Sequence, residues 1–137
     1  MIKLAPYLNF NGKCAEAMTF YKDCLSGTVE MNKIGESPMA EHFPEDQHNG
    51  ILHSILTSDH ITIMGTDAGL PGGHREGNDF SLCLFGDDEK LFHQYFDKLA
   101  KGGTVQEKLA KAPWGDMFGA LTDKFGKNWM FNCSPKS

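Results

Sequence analysis

The sequence contains no apolar run approaching the roughly 18–20 residues that a membrane helix needs, so no membrane-spanning segment is expected. It also has no cluster of cations: thirteen Lys and Arg are scattered among eighteen Asp and Glu, for a formal charge of −5. Phosphate neutralisation requires grouped cations, which argues against nucleic acid as a partner. Cys14, Cys24, Cys83 and Cys133 form no CxxC and no zinc-type doublet. Each lies in or beside an apolar stretch, so reduced core thiols are expected rather than disulfides. GxxxxGKS/T, GxSxG, HExxH and a strand-linked GxGxxG are all missing, which removes the nucleotide and hydrolase chemistries those motifs carry. Met1-Ile2-Lys3-Leu4 shows no basic region leading into an apolar stretch with a small-residue cleavage site, so a cytoplasmic location is expected.

What remains is the composition of an ordinary soluble domain. The chain has 137 residues, 40% hydrophobic and 23% charged, with glycine abundant at 15. That length suits a single core.

The chain also repeats itself. Phe10-Asn11-Gly12 leads into Ala15 to Lys22 and then Leu25-Ser26-Gly27-Thr28-Val29. Phe85-Gly86-Asp87, 75 positions later, leads into Leu91 to Lys98 and then Gly102-Gly103-Thr104-Val105. Phe20-Tyr21 falls on Tyr95-Phe96, and Ile55-Leu56-Thr57 is answered by Ala120-Leu121-Thr122. A shared order at a nearly constant offset indicates two copies of one unit. Within each copy, a short strand-like run (Ala5 to Phe10, Phe80 to Phe85) precedes an apolar stripe at helical spacing. The stripes are Cys14, Ala17, Met18, Tyr21 and Leu25, then Leu91, Phe92, Tyr95, Phe96 and Leu99. Gly27 and Gly102-Gly103 stand where a helix C-terminal glycine belongs. Three strand candidates follow each helix: Thr28 to Ile34, Ile51 to Thr57 and Ile61 to Met64, then Thr104 to Leu109, Met117 to Thr122 and Asn128 to Cys133. The expected class is α+β, with two tandem βαβββ units at about 1–67 and 79–137 and a Gly-rich connection at about 68–78. A unit of roughly 65 residues is marginal alone, so a single shared domain is expected. Gly35 to Gly50 reads as a long polar loop, where a His42/His48 metal pair is conceivable but a solvated strap is the simpler expectation.

His53 is the leading candidate for a working group. Alternation in Ile51 to Leu56 puts it on the face opposite Leu52 and Ser54, together with Ile55. On a ligand-lining face its imidazole would bind or deprotonate a ligand near neutral pH; on a packed face it would be a hydrogen-bonded structural histidine. Trp114 and Phe118 are either core or an aromatic pocket wall, and Trp129 reads as core. Asp67 reads as structural. Met64, Met130 and Cys83 offer soft donors for copper(I), but their branched and aromatic neighbours mark them as packing residues.

Taken together, Pro6 to Gly12, Ala17 to Tyr21, the His53 strand, Ile63 to Asp67, Gly77 to Leu82, Trp114 to Gly119, Leu121-Thr122-Asp123, Phe125-Gly126 and Trp129-Met130 resemble the PhnB-like branch of the vicinal oxygen chelate superfamily. This is the glyoxalase, bleomycin-resistance and dioxygenase fold, and the resemblance covers essentially the whole chain. It implies paired βαβββ units with helices outside, whose strands curl into a cup, usually within a homodimer. Superfamily enzymes hold a divalent metal through His, Gln or Glu on the first and last strands of each unit. Set onto this chain, those positions fall near Pro6, Met64, Ser81 and Met130, none a ligand for a hard or borderline cation. No metal or other cofactor is therefore expected. The expected function is binding of an unidentified small molecule in an apolar and aromatic cup lined by His53, Ile55, Met64, Ser81, Trp114, Phe118 and Met130. Any reaction would run through His53. The alternatives are a metal-dependent lyase or dioxygenase and a non-catalytic dimeric interaction protein. Members of the branch carry the name demethylubiquinone methyltransferase, but a βαβββ repeat lacks the nucleotide-binding sheet and Gly-rich turn of the usual methyltransferases.

Overall fold

The structure is a computed structural model and describes residues 1–69 and 73–135. Pro71 and Gly72 of the Gly-rich connection lie outside the described residues. The chain divides into two compact units, Met1–Arg75 and Glu76–Ser137. The first runs β1 (Tyr7–Asn9), α1 (Cys14–Leu25), β2 (Thr28–Lys33), β3 (Ile51–Ser58) and β4 (Ile61–Thr66). The second runs β5 (Leu82–Gly86), α2 (Glu89–Ala100), β6 (Thr104–Lys111), β7 (Met117–Thr122) and β8 (Asn128–Cys133). Each unit thus has the βαβββ order expected from the repeat. Its four strands form one sheet, ordered β1-β4-β3-β2 and β5-β8-β7-β6. In both sheets the first strand runs parallel to the last, and the other pairs are antiparallel.

Each helix covers one face of its own sheet. The stripe on α1 buries Cys14, Ala17, Met18, Tyr21, Cys24 and Leu25, as the spacing of three and four requires. On α2, Phe92, Phe96 and Leu99 are buried, and the rings of Phe92 and Phe96 meet Phe131 of β8 edge-on at 6.0 and 5.1 Å. These contacts leave the other face of each sheet uncovered by its own helix.

The two helices start by different devices. Asp88 caps α2 locally, its carboxylate accepting from the Leu91 N–H at 3.0 Å. The first helix has Lys13 at that position and no local side-chain cap. Its cap comes from Asp67, just past β4: Oδ1 accepts from the N–H of Gly12 (2.7 Å) and Cys14 (2.9 Å), and Oδ2 from the N–H of Ile51 (2.9 Å). One carboxylate therefore ties the start of α1 to β3 and β4, consistent with the structural reading of that residue.

Gly27 stands just past the end of α1 at φ +126°, as expected, and the C-cap residue before it, Ser26, also takes a positive φ of 62°. Two sequence expectations need correction. The 35–50 segment is not a plain solvated strap. It winds through three short 3₁₀ turns, Ile34–Glu36, Ala40–His42 and Glu45–Gln47. His48 Nε2 lies 2.8 Å from the Ala40 carbonyl and 3.1 Å from that of Phe43; both partners only accept, so this nitrogen carries the proton and closes the loop. Finally, all four cysteines are free, but only Cys14, Cys24 and Cys133 are buried. Cys83 is exposed because β5 is an edge strand and residue 83 points away from α2. Among the described residues, no helix is long and apolar enough to cross a membrane.

Candidate functional site

In the first unit, strand pairing sorts the candidate residues by face. Tyr7, Met64, Ile55 and Glu30 stand opposite one another across all four strands. His53, two residues before Ile55 on β3, shares this face, which is the one turned away from α1. The neighbouring row of Leu8, Gly65 and Ser54 is fully buried, and there the Cys14 thiol meets Ser54 Oγ at 3.3 Å while Ser54 donates to the Gly65 carbonyl at 2.9 Å. Expected site residues His53, Ile55 and Met64 therefore do share one open face, separated from the core by the pleat.

A partner for His53 was not anticipated from the sequence. The Tyr7 hydroxyl lies 2.9 Å from His53 Nδ1, and the rings stand 5.7 Å apart and tilted by 39°. Tyr7 is 48% exposed, so the pair is open to solvent. Desolvation, and to a lesser degree the Cys14 charge, raise the Tyr7 phenol above its ordinary value, so it keeps its proton at neutral pH. The contact fixes the imidazole ring and commits Nδ1 to the phenol, leaving Nε2 for a ligand. If the phenol donates, Nε2 carries the proton and is a donor; if the phenol accepts from Nδ1–H, Nε2 is a base. The one sequence signal that could have found Tyr7 is its parity in β1, where it alternates with buried Leu8.

In the second unit, Phe118, Asn132 and Phe85 are Cα partners across β7, β8 and β5, and Ala120, Met130 and Cys83 form the adjacent row. Trp114, in the turn before β7, packs edge-on against Phe118 with ring centroids 5.8 Å apart. Asn132 Nδ2 donates to Asp116 Oδ2 at 3.2 Å. Trp114, Phe118 and Met130 thus gather on one face, and Trp114 is no core residue, being 64% exposed. Trp129 is core as expected; its indole N–H donates to Asp123 Oδ2 at 2.8 Å. Ser81 falls one residue before β5 and has no ladder partner.

The positions that would carry a superfamily metal can now be read by register. Tyr7 pairs with Met64, and Met64 N–H donates to the Pro6 carbonyl at 3.0 Å; in the second sheet Cys83 pairs with Met130. The side chains paired there are the Tyr7 phenol, the Met64 and Met130 thioethers and the Cys83 thiol, with Pro6 and Ser81 just before the two first strands.

Thiol reactivity checks this division of faces. Burial, with an added rise from Asp67 that outweighs no more than part of the lowering by Ser54, pushes the Cys14 thiol up to about 11. Native protein treated with iodoacetamide at pH 8 should take one label, at Cys83, while Cys14, Cys24 and Cys133 stay unmodified until denaturant is added. Peptide mass mapping reads the result, and early labelling of Cys14 would contradict the packing described here.

A family model described as 3-demethylubiquinone-9 3-methyltransferase matches residues 2–131. The chain belongs to that family. It is 33% identical over 139 residues to protein YjdN of Escherichia coli strain K12, covering 94% of this chain and 93% of the relative. Protein PA1353 from Pseudomonas aeruginosa is similar at 36% identity and TM-score 0.85, covering 99% of this chain and 100% of that one. A PhnB protein from Bacillus cereus matches at TM-score 0.76 and 24% identity, over 97% and 100% of the two chains. Glyoxalase/bleomycin resistance/dioxygenase structures match at TM-scores of 0.62 and 0.60 with 12% and 11% identity, a likeness of fold alone. The fold is therefore that of the PhnB protein and of the glyoxalase/bleomycin resistance/dioxygenase structures, the fold that its sequence motifs suggested.

Proposed function

We propose that this PhnB-like protein binds a small molecule of mixed apolar and oxygen-bearing character on the open faces of its sheets, without the superfamily's divalent metal. The observation that carries the reading is the Tyr7–His53 hydrogen bond of 2.9 Å on an open face beside Ile55 and Met64. A few fixed polar groups among apolar side chains is the usual composition of a small-molecule site. The donor chemistry at the ligand positions supports the metal-free part. Methyl transfer, the activity in the family's description, is disfavoured because neither βαβββ unit offers a doubly wound sheet with a Gly-rich turn. Dimerisation, which the resemblance implies, belongs to the same proposal.

The pair also supports a second reading, in which His53 Nε2 acts as general base on an oxygen-rich or carbonyl substrate while Tyr7 holds the ring. Ligand-shift screening with aromatic ketones, phenols and carboxylates separates the two. Wild type should show binders that His53→Ala loses by roughly tenfold or more and Tyr7→Phe weakens by roughly threefold, the scale of one lost hydrogen bond. Turnover of a hit by wild type but not by His53→Ala selects the enzyme reading. Equal binding by all three proteins removes the pair from the site, and one tightly bound divalent ion per chain, purified without chelator, refutes the metal-free part.

A further inference from the structure

The uncovered face of the second sheet combines two features that ordinarily stay apart. It is strongly apolar, with Phe85 82%, Trp114 64% and Met130 42% exposed. A monomer rarely leaves such residues contiguous unless something binds there. Yet a carboxylate stands among them. Asp116 precedes Phe118 by two residues and takes a hydrogen bond from Asn132, which lies between Phe118 and Phe85 in the same row. That partner is a neutral amide, so it orients the carboxylate without cancelling its charge.

The surroundings add negative potential. Asp87, Asp88 and Glu89 follow β5 directly, at the end of the sheet where Gly86 pairs with Cys133. On the α2 side of the sheet the buried Cys133 thiol is raised first by desolvation and then by the charges of Glu89, Asp87, Asp88 and Asp116. Lys111 stands at the same end of the sheet, in the cross-strand row Lys111, Met117, Cys133 and Gly86, on the strand beside β7. On the open face an anion would meet the Asp116 carboxylate. A neutral apolar ligand would leave Asp116 desolvated without compensation, which is costly. A cation carried on an apolar or aromatic frame satisfies both features, since exposed Trp and Phe rings present negative π faces to it.

We infer that the open face of the second sheet is a binding site for an organic cation, such as an N-alkylated aromatic ring, stacked on Trp114 and Phe118 with its charge toward Asp116. This deepens the proposed function and rests on it only in that the open faces take ligands. It assigns the charge class of the ligand taken by the open face of the second sheet.

Amide and indole NMR spectra of the full chain test it, because the two tryptophans serve as reporter and internal control. The probes are N-methylquinolinium, neutral N-methylquinolone of similar shape, and anionic quinoline-2-carboxylate. N-methylquinolinium should move the Trp114 indole N–H and the Asn132 side-chain amide while leaving the buried Trp129 indole in place. It should bind roughly tenfold more tightly than N-methylquinolone, a preference set by the carboxylate and the aromatic faces. Asp116→Asn, which keeps the shape and the hydrogen-bonding capacity, should abolish that preference, and Trp114→Ala, at an exposed position, should weaken binding of both probes. Equal affinity for cation and neutral analogue, tighter binding of the anion, or an unchanged preference in Asp116→Asn overturns the inference. So do shifts at Trp114 that depend on protein concentration alone, which would mark a second copy as the occupant. If the quinolone or the carboxylate instead moves Tyr7 and His53 and spares Trp114, the small-molecule function stands and the cation site falls. If no probe moves either face, the cation site falls, and the screen on His53 variants decides the broader reading separately.

Discussion

Asp67→Ala lowers the unfolding free energy by about 3 kcal/mol, several times the loss of about 1 kcal/mol from Asp88→Ala. Both residues cap a helix, but they do unequal amounts of it. Asp88 satisfies one N–H of its own helix. Asp67 satisfies the N–H groups of Gly12, Cys14 and Ile51, so its removal orphans three donors, that of Cys14 in a fully buried residue. It also takes a negative charge from the positive end of α1. Asp67→Asn keeps the shape but offers one carbonyl oxygen where two carboxylate oxygens accepted, so its cost falls between the other two. Urea denaturation of the three variants at neutral pH measures the order. Equal losses for Asp67→Ala and Asp88→Ala would mean that the long-range cap contributes no more than the local one. Because Asp67 links β4 to β3 as well as to α1, its loss should also loosen the strand that carries His53.

Much of the fold could be read in the sequence because its signals are local. Helical stripes, turn glycines and strand alternation act over a few residues, and the repeat doubled each of them. The face assignment of His53 and Ile55 followed from the same alternation, since Ser54 between them is buried against Cys14. The contacts of the candidate site were hidden because they join residues distant in the chain. Tyr7 reaches His53 only through the parallel pairing of β1 with β4 and the antiparallel pairing of β4 with β3. Asp67 was read as structural, but its three donors come from two other segments and could not be named. The Asp116–Asn132 contact spans a hairpin, within which many side-chain pairs are equally close in sequence. Cys83 misled for a different reason: an apolar run such as Phe80 to Phe85 does not declare which of its alternating residues meets a helix. Here α2 covers the side of Phe131, and Cys83 is left outside.

The repeat makes a second large effect predictable. Gly27 and Gly103 each open a Gly-Thr-Val segment, and each packs against a carbonyl of the strand beside it, Thr57 in the first unit and Thr122 in the second. Thr28 pairs with Thr57 and Thr104 with Thr122, so the same crowded corner is built twice. A Cβ at Gly27 would meet the Thr57 carbonyl oxygen and lie 2.8 Å from Ser58 Cβ; one at Gly103 would meet the Thr122 oxygen and lie 2.9 Å from backbone atoms of Asp123. These neighbours are mostly backbone and cannot rotate away. Gly27 also sits at φ +126°, where an L side chain is strained whatever the space, whereas Gly103 does not. Gly27→Ala should therefore cost about 4 kcal/mol, combining overpacking with backbone strain, and Gly103→Ala about 2 kcal/mol from overpacking alone. Gly69→Ala serves as the control for conformation without crowding, since φ is +79° but nothing lies within 4 Å of its added Cβ. Thermal and urea unfolding of the three variants should rank them in that order, with Gly69→Ala losing about 1 kcal/mol. If Gly103→Ala matched Gly69→Ala, the recurrence of Gly-Thr-Val would have to be explained by something other than strand contact.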